Sequence, residues 1–233
     1  MASREGLTHR ERLRALTVAE IKEHGYAQIA EGGPGALALN AIAKTMGMSG
    51  PALYRYFSSR EDLMAALVTD SFEDLADTLT RVAADAANEA PEGRLRAVAR
   101  GFRGWALAAP HRYRLVFGST YGTGALDPAR IIPAASRSMK AILSALADLS
   151  AAPPPPVSDP ILERQLEQWG ARQDPDATPA AGNLLLGLTA WTGLHGIISL
   201  EIDGFFLQVG VDPARIYDDE IDQLIARRLA GRA

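Results

Sequence analysis

Residues 41–63 read AIAKTMGMSGPALYRYFSSREDL, and this pattern predicts two short helices joined by a tight turn. A helix-turn-helix needs a small residue where its helices cross and a glycine in its turn. Ala43 and Gly47 meet these needs. It also needs apolar residues that hold the second helix, and these are Ile42, Met46, Met48, Leu53 and Phe57.

The other residues of this segment predict an outward surface suited to DNA. Small residues at the start of the second helix let its N-terminus approach the floor of a groove. The hydroxyls of Tyr54 and Tyr56 and the guanidinium of Arg60 can donate to phosphates. Arg55 is the one long donor here that suits a guanine edge.

The first helix is predicted from Thr8 to about Glu31. Thr8 and Glu11 have the S/T-x-x-E spacing of a capping box. Leu13 and Leu16 belong to its near-helical apolar pattern, so we expect them to face the core.

Two serine caps are predicted around the recognition segment. Ser49 can accept an amide of the first turn of a third helix that runs to about Phe57. Ser58 and Glu61 repeat the S-x-x-E spacing and predict the start of a fourth helix.

The rest of the chain keeps a helical period and shows no convincing period-2 run, so the fold class is all-α. The proline-rich residues 151–160 predict a stiff connector. Helices are expected at about 95–107, 112–117, 134–149, 161–172 and 217–229, with a long apolar segment at 180–206.

Composition excludes several classes of protein. The 233 residues are 47 % hydrophobic and 22 % charged, as in ordinary globular domains. The absence of cysteine excludes disulfides, thiolate nucleophiles and cysteine metal sites, and it suits a reducing cytoplasm. The N-terminus has no apolar signal core, so no export is expected.

The formal net charge of −4 hides an asymmetry along the chain. Residues 1–60 carry eight Lys and Arg against five Glu, whereas the remainder carries sixteen basic against twenty-three acidic residues. A basic head on an acidic body predicts that only the head meets a polyanion, although a charge run is also typical of a solvated helix face.

Residues 47–57 with 59–63 resemble the DNA-binding signature of the tetracycline-repressor (TetR) family. The resemblance covers about residues 8–68. It implies a DNA-binding domain at 1–60 and a helical effector-binding and dimerisation domain at 61–233. The implied function is a transcriptional regulator, most simply a repressor that a small molecule releases from its operator.

The resemblance also implies roles for single residues. Ser49, Gly50, Pro51 and Arg55 match positions that meet bases. Two departures bear on DNA affinity: Ala38 and Leu39 stand where a Ser or Thr is usual, and Asn40 stands where a basic residue is common. The positions that match contacts to phosphate or backbone are Ala52, Tyr54, Tyr56 and Arg60.

A weaker resemblance places Trp191, His195 and Gly196 in a branch of the family with a Trp…His-Gly motif on the penultimate helix. In the family the last two long helices form a four-helix interface with a second copy. The resemblance therefore implies a homodimer through these helices. A two-fold dimer would bind a palindromic operator on double-stranded DNA.

Aromatic and histidine side chains of the body could line an apolar effector cavity with a few polar handles. The alternative is that they are core aromatics with satisfied polar tips. The residues are Trp105, His111, Tyr113, Phe117, Tyr121, Trp169, Trp191 and His195.

Other classes of protein are weighed against a regulator. Residues 181–200 carry no charge over twenty positions, but glycines, polar side chains and the lack of basic flanks favour a buried or interface helix over a membrane span. The four histidines lack metal-binding spacing, and the lone GTG in residues 119–127 has no strand before it, so neither an enzyme nor a cofactor is expected. A helical protein-interaction or ligand-binding module without ligand-gated DNA release remains the alternative.

Overall fold

A computed structural model of the chain describes residues 8–118, 128–149, 154, 156–173 and 180–230. Within these ranges it contains α-helices, one short 3₁₀ turn at Pro34–Ala36, and no strand, so the all-α prediction is confirmed. The helices are α1 (His9–Gly32), α2 (Leu39–Thr45), α3 (Gly50–Leu53), α4 (Arg60–Asp85), α5 (Pro91–Ala108), α6 (Pro110–Phe117), α7 (Pro128–Ala147), α8 (Pro160–Gln173), α9 (Ala181–Ile202), α10 (Phe205–Val209) and α11 (Pro213–Ala230).

The described residues pack as two compact units. The first unit takes residues from 1–72 and 111–132, and the second takes residues from 73–110 and 133–233. The first unit therefore holds the helix-turn-helix together with the first half of α4 and with α6. The functional division at residue 60 stays a prediction.

Hydrogen bonds tie α1 to α4 in the first unit. The buried Tyr26 hydroxyl donates to the Leu67 carbonyl over 2.9 Å and lies 3.0 Å from Ser71 Oγ. Lys22 Nζ donates to both carboxylate oxygens of Asp70, at 2.8 and 2.7 Å. The hydroxyl and the ammonium group both have hydrogen-bond partners, which offset the cost of removing them from water at this junction.

The capping box predicted at the start of α1 is confirmed. Glu11 N donates to Thr8 Oγ1, and the Glu11 carboxylate accepts from Thr8 N over 2.7 Å. These hydrogen bonds hold the pKa of Glu11 below its usual range. The expected burial of Leu13 and Leu16 is wrong: they are 51 % and 66 % exposed, because the buried face of α1 begins only at Ile21.

The second predicted capping box is wrong by one residue. Helix α4 starts at Arg60, so Ser59 occupies the cap and its Oγ accepts from Asp62 N over 3.0 Å. The Asp62 carboxylate accepts from Ser58 N, also over 3.0 Å. Glu61 is one position too early to close the box.

The second unit is built on contacts of α5 with α9 and α11. The buried Tyr217 hydroxyl of α11 donates to the Ala99 carbonyl of α5 over 2.7 Å. The Arg103 guanidinium of α5 forms a two-bond fork with Glu201 of α9, at 2.8 and 2.5 Å. These groups fix the ends of α9 and α11 on one side of α5.

Helix α9 is shorter than the apolar segment predicted at 180–206, since it ends at Ile202 and α10 follows. Its buried positions form a single stripe that includes Leu184, Leu194 and Ile198. By length and composition this is the one helix among the described ranges that could cross a membrane. The loop predicted at 119–127 lies outside the described residues, as do residues 151–153 and 155 of the proline-rich connector.

Candidate DNA-binding surface

Helices α2 and α3 form the predicted helix-turn-helix. Gly47 adopts a positive φ of 66°, which lets the chain reverse directly after α2. Met48 N then donates to the Ala43 carbonyl over 2.8 Å. Ile42 and Leu53 are fully buried, so apolar packing holds both helices from the inner side.

Helix α3 is shorter than predicted. It ends at Leu53, and residues 54–56 continue as a turn in which Tyr56 N donates to the Leu53 carbonyl over 2.8 Å. Ser49 stands at the N-cap, but its side chain makes no capping hydrogen bond. Arg55 N also donates to the Ala52 carbonyl over 3.4 Å, so this bond and that of Tyr56 N reach three residues back rather than four and the α-helical pattern ends at Leu53.

None of the eight predicted DNA-binding residues is buried. Each of them keeps some atoms accessible, and DNA contact by all eight stays a prediction. Ser49, Pro51, Tyr54 and Arg55 are exposed, and Gly50, Ala52, Tyr56 and Arg60 are half-buried.

Arg14 of α1 is a neighbour of this surface that the sequence reasoning missed. Its guanidinium lies over the Tyr56 ring, 4.9 Å from the ring centroid. Arg14 Nη2 also donates to the Arg55 carbonyl over 3.3 Å. The sequence holds one sign of such a role, which is that three arginines stand close together at the start of α1: Arg10, Arg12 and Arg14. All three are exposed in the structure.

Arg60 has a structural role beyond the predicted phosphate contact. Its Nε donates to the Leu37 carbonyl over 3.0 Å, and its Nη2 donates to the Pro34 carbonyl over 2.6 Å. Two of its donor atoms are therefore engaged in fixing the 3₁₀ turn that leads into α2. A phosphate contact by its remaining donors stays a prediction.

The departure noted at the start of α2 has a visible consequence. Ala38 is the N-cap residue and offers no side-chain oxygen to the first turn of the helix. Gln28 of α1 instead accepts a hydrogen bond from Ala38 N over 2.8 Å. Asn40 is exposed beside it. Tertiary contacts thus position α2 where a hydroxyl cap is missing.

Three residues predicted for the effector pocket lie on α6 in the first unit. The His111 ring meets Tyr26 edge-on, with 6.1 Å between the ring centroids. Tyr113 is buried and packs against Phe117 at 5.1 Å. Burial, with the nearby Arg112 charge, lowers the pKa of His111 below its usual range.

Four further pocket residues lie in the second unit. Trp105 Nε1 donates to Asp74 Oδ2 over 2.8 Å. Trp191 stacks on Phe102 at 4.8 Å and faces His195 at 6.0 Å, both measured between centroids.

Burial also lowers the pKa of His195, which favours a neutral imidazole at pH 7. Trp169 packs against the cluster of Leu166 and Leu184. Tyr121, the eighth predicted residue, lies outside the described residues. The shared effector pocket stays a prediction.

In the ranges that the structure describes, no group of three His, Asp or Glu side chains is placed to hold a metal ion.

Comparisons with known proteins cover both units. The model of the tetR family of bacterial regulatory proteins matches residues 21–67, and that of the tetracyclin repressor-like C-terminal domain matches residues 95–224. The HTH-type transcriptional regulator Rv1816 of Mycobacterium tuberculosis is 34 % identical over 219 residues, which cover 89 % of this chain and 90 % of that protein.

Solved structures agree with these matches. The crystal structure of the regulatory protein SCO4313 has a TM-score of 0.77 and 38 % identity, over 94 % of this chain and 100 % of the other. A bacterial regulatory protein in the tetR family from Rhodococcus RHA1 has a TM-score of 0.61 at 16 % identity, over 90 % of this chain and 95 % of the other. The second likeness concerns the fold alone.

Proposed function

Because this chain belongs to the TetR family of DNA-binding transcriptional regulators, we propose that it is a cytoplasmic, homodimeric repressor. In this proposal the dimer binds a palindromic operator, and a small-molecule effector releases it.

The accessibility of Arg55 next to a buried helix-turn-helix core is the observation that carries the proposal. Leu53 is fully buried, whereas Tyr54 is 46 % exposed and Arg55 is exposed. A rigid helix pair thus presents the guanidinium without enclosing it. Arg55 is the main reader of bases in the proposed complex, and Ser49, Gly50 and Pro51 also meet bases. The residues that contact the phosphate backbone are Ala52, Tyr54, Tyr56 and Arg60.

A second copy of this chain is the proposed cover for α9. In the most apolar 18-residue window of α9, only 22 % of the residues are buried within one chain, and the mean hydropathy of that window is 1.3. The Arg103–Glu201 ion pair holds its last turn, which suits an aqueous end better than a bilayer. Leu200 near the end of α9 is an exposed apolar side chain, and others follow the helix, at Phe205, Leu207, Val209 and Val211. The partner's α9 and α11 would cover this surface in a two-fold dimer.

Binding to duplex DNA as a function of salt concentration tests the proposal. A labelled pool of random 30-base-pair duplexes should bind at low salt, and log affinity should fall linearly with log salt concentration because phosphate contacts release counterions. An absence of duplex binding at 50 mM salt would instead favour the interaction-module alternative.

A further inference from the structure

A cleft of about 410 Å³ lies in the second unit between α4, α5 and α7. Ala83 lines it near the end of α4, Ala87 lines it in the turn after α4, and Ala141 and Ala145 line it on α7. Ala141 and Ala145 are four residues apart and share a helix face, and these small side chains leave a groove. Val98 of α5, which is 1 % exposed, adds an apolar floor.

The charged side chains of this cleft are mostly cationic. Arg94, Arg137 and Lys140 line it with a single carboxylate, that of Asp148. Arg137 also pairs with Asp77, which does not line the cleft, so three positive groups lie near two carboxylates. The positive charge that remains favours an anion.

The Arg94 guanidinium is the best-placed of these cations. Its Nη2 lies 3.5 Å from Asp148 Oδ2, which is longer than the ~2.7–2.9 Å of a strong charge-assisted hydrogen bond. Its Nε is buried and has no hydrogen-bond acceptor within the described part of the chain. Because Nε is enclosed, the contact with a ligand oxygen falls to Nη2, whose long ion pair with Asp148 is weak.

Arg137 pairs with the Asp77 carboxylate, and a ligand carboxylate can take the place of Asp77 in this ion pair. Its Nη2 donates to Asp77 over 2.6 Å, but the two side chains are 53 % and 71 % exposed. Exposed ion pairs contribute little because water screens them. The rim of the cleft can therefore exchange this contact for one with a ligand.

We propose that this cleft binds a small amphipathic carboxylate, with the carboxylate at Arg94, Lys140 and Arg137 and the hydrocarbon body along the alanines. A volume of about 410 Å³ is near the lower end of the range of ligand pockets, about 300–1,000 Å³, which favours a compact chain or ring. The proposal names the class of effector, and for that role it rests on the proposed function.

Calorimetric titration of the full chain without DNA tests the binding itself. Octanoate and phenylacetate serve as probes with a chain and a ring, while octan-1-ol and acetate lack the charge and the apolar body. At least one of the two probes should bind saturably, and both controls should bind at least tenfold more weakly. Failure of both probes, or equal binding of octan-1-ol, would overturn the proposal.

Cleft variants locate the binding. Arg94→Met and Lys140→Met remove charges, and Ala141→Leu fills the groove. Each should raise the dissociation constant at least tenfold, whereas Arg81→Met, an exposed residue of α4 that does not line the cleft, should leave it unchanged. Helical circular dichroism identifies any variant that fails to fold. Equal binding by the folded cleft variants and the control would place the ligand elsewhere.

The effector role is tested with DNA. The bound carboxylate should weaken binding of wild-type protein to duplex at least tenfold, and it should have no such effect on Ala141→Leu. If the carboxylate binds and DNA affinity does not change, its role as effector is refuted. If the protein binds no duplex at all, the proposed function fails while the titrations still decide whether the cleft binds a carboxylate.

Discussion

Arg55 is the residue on which base recognition depends in the proposed complex. Arg55→Ala should remove one guanine contact and relax the preference at one position of each half-site by about 5–150-fold, or about 1–3 kcal/mol. Tyr56→Phe keeps the ring beneath the Arg14 guanidinium and removes only a hydroxyl, so it should weaken all duplexes alike. Competition binding with a set of single-base operator variants measures both effects. Equal losses on every duplex from both substitutions would contradict this division of roles.

His195 predicts a dependence of stability on pH. Burial lowers its pKa below the ordinary value of about 6.5, so below pH 6.5 the unfolded chain binds more protons than the folded chain. The free energy of unfolding should therefore fall as the pH falls from 7 towards 5.

Urea denaturation of His195→Gln at several pH values tests this expectation. The variant should show a shallower decline than wild type, and His9→Gln, at an exposed position of α1, should keep the wild-type slope. An unchanged slope in His195→Gln would remove His195 as a cause. His111, whose pKa burial also lowers, accounts for part of any remaining slope.

Sequence patterns predicted local residue contacts better than distant ones. The Thr8–Glu11 box depends on residues three apart, and the structure has it. The Arg14 guanidinium lies over Tyr56, 42 positions along the chain, and only the tertiary fold brings them together. The tertiary fold also brings Arg60 to the carbonyls at the 3₁₀ turn. The residues next to Arg60 in the sequence indicated only phosphate binding, because these carbonyls are distant along the chain.

Ion pairs join α5 to α9 and α11. The less exposed a pair is, the more we expect it to contribute to the free energy of unfolding. Arg103 and Glu201 have side chains 23 % and 13 % exposed, and their hydrogen bonds raise the pKa of Arg103. Glu201→Gln should lower the free energy of unfolding by about 1.5–3 kcal/mol, the range for hydrogen bonds to charged groups. Chemical denaturation measures it.

Asp222 provides the matched control for this element. It pairs with Arg96, and its side chain is 57 % exposed. Asp222→Asn should cost less than about 1 kcal/mol, because water screens exposed pairs. A larger loss from Asp222→Asn than from Glu201→Gln would reverse the ranking.

Apolar periodicity predicted which segments are helices, whereas the exact helix ends depended on local hydrogen bonds that it does not report. The α4 cap moved from Ser58 to Ser59, since Asp62 rather than Glu61 closes it. Helix α3 ended at Leu53, because Arg55 N and Tyr56 N bond to carbonyls three residues back rather than four. The apolar run at 180–206 hid a local stop signal, since Gly204 takes a positive φ of 76° shortly after the last residues of α9.

At the scale of the whole molecule, dimerisation through α9 is open to direct measurement. Thr189 and Thr192 are exposed on α9 within one chain. Thr189→Arg with Thr192→Arg should place charges in the dimer interface and shift sedimentation at micromolar concentration from dimer to monomer. Glu167→Arg, on the exposed side of α8, should leave the dimer intact. A wild-type monomer under these conditions would contradict the dimer.

Selection of bound sites from random duplexes tests the central claim most directly, because it reports DNA binding, symmetry and half-site spacing together. A two-fold dimer should enrich one palindrome whose half-sites are about one DNA turn apart, ~10 base pairs between centres or a multiple of this. Enrichment of no sequence, or of a single site without two-fold symmetry, would contradict the account of a dimeric operator-binding repressor.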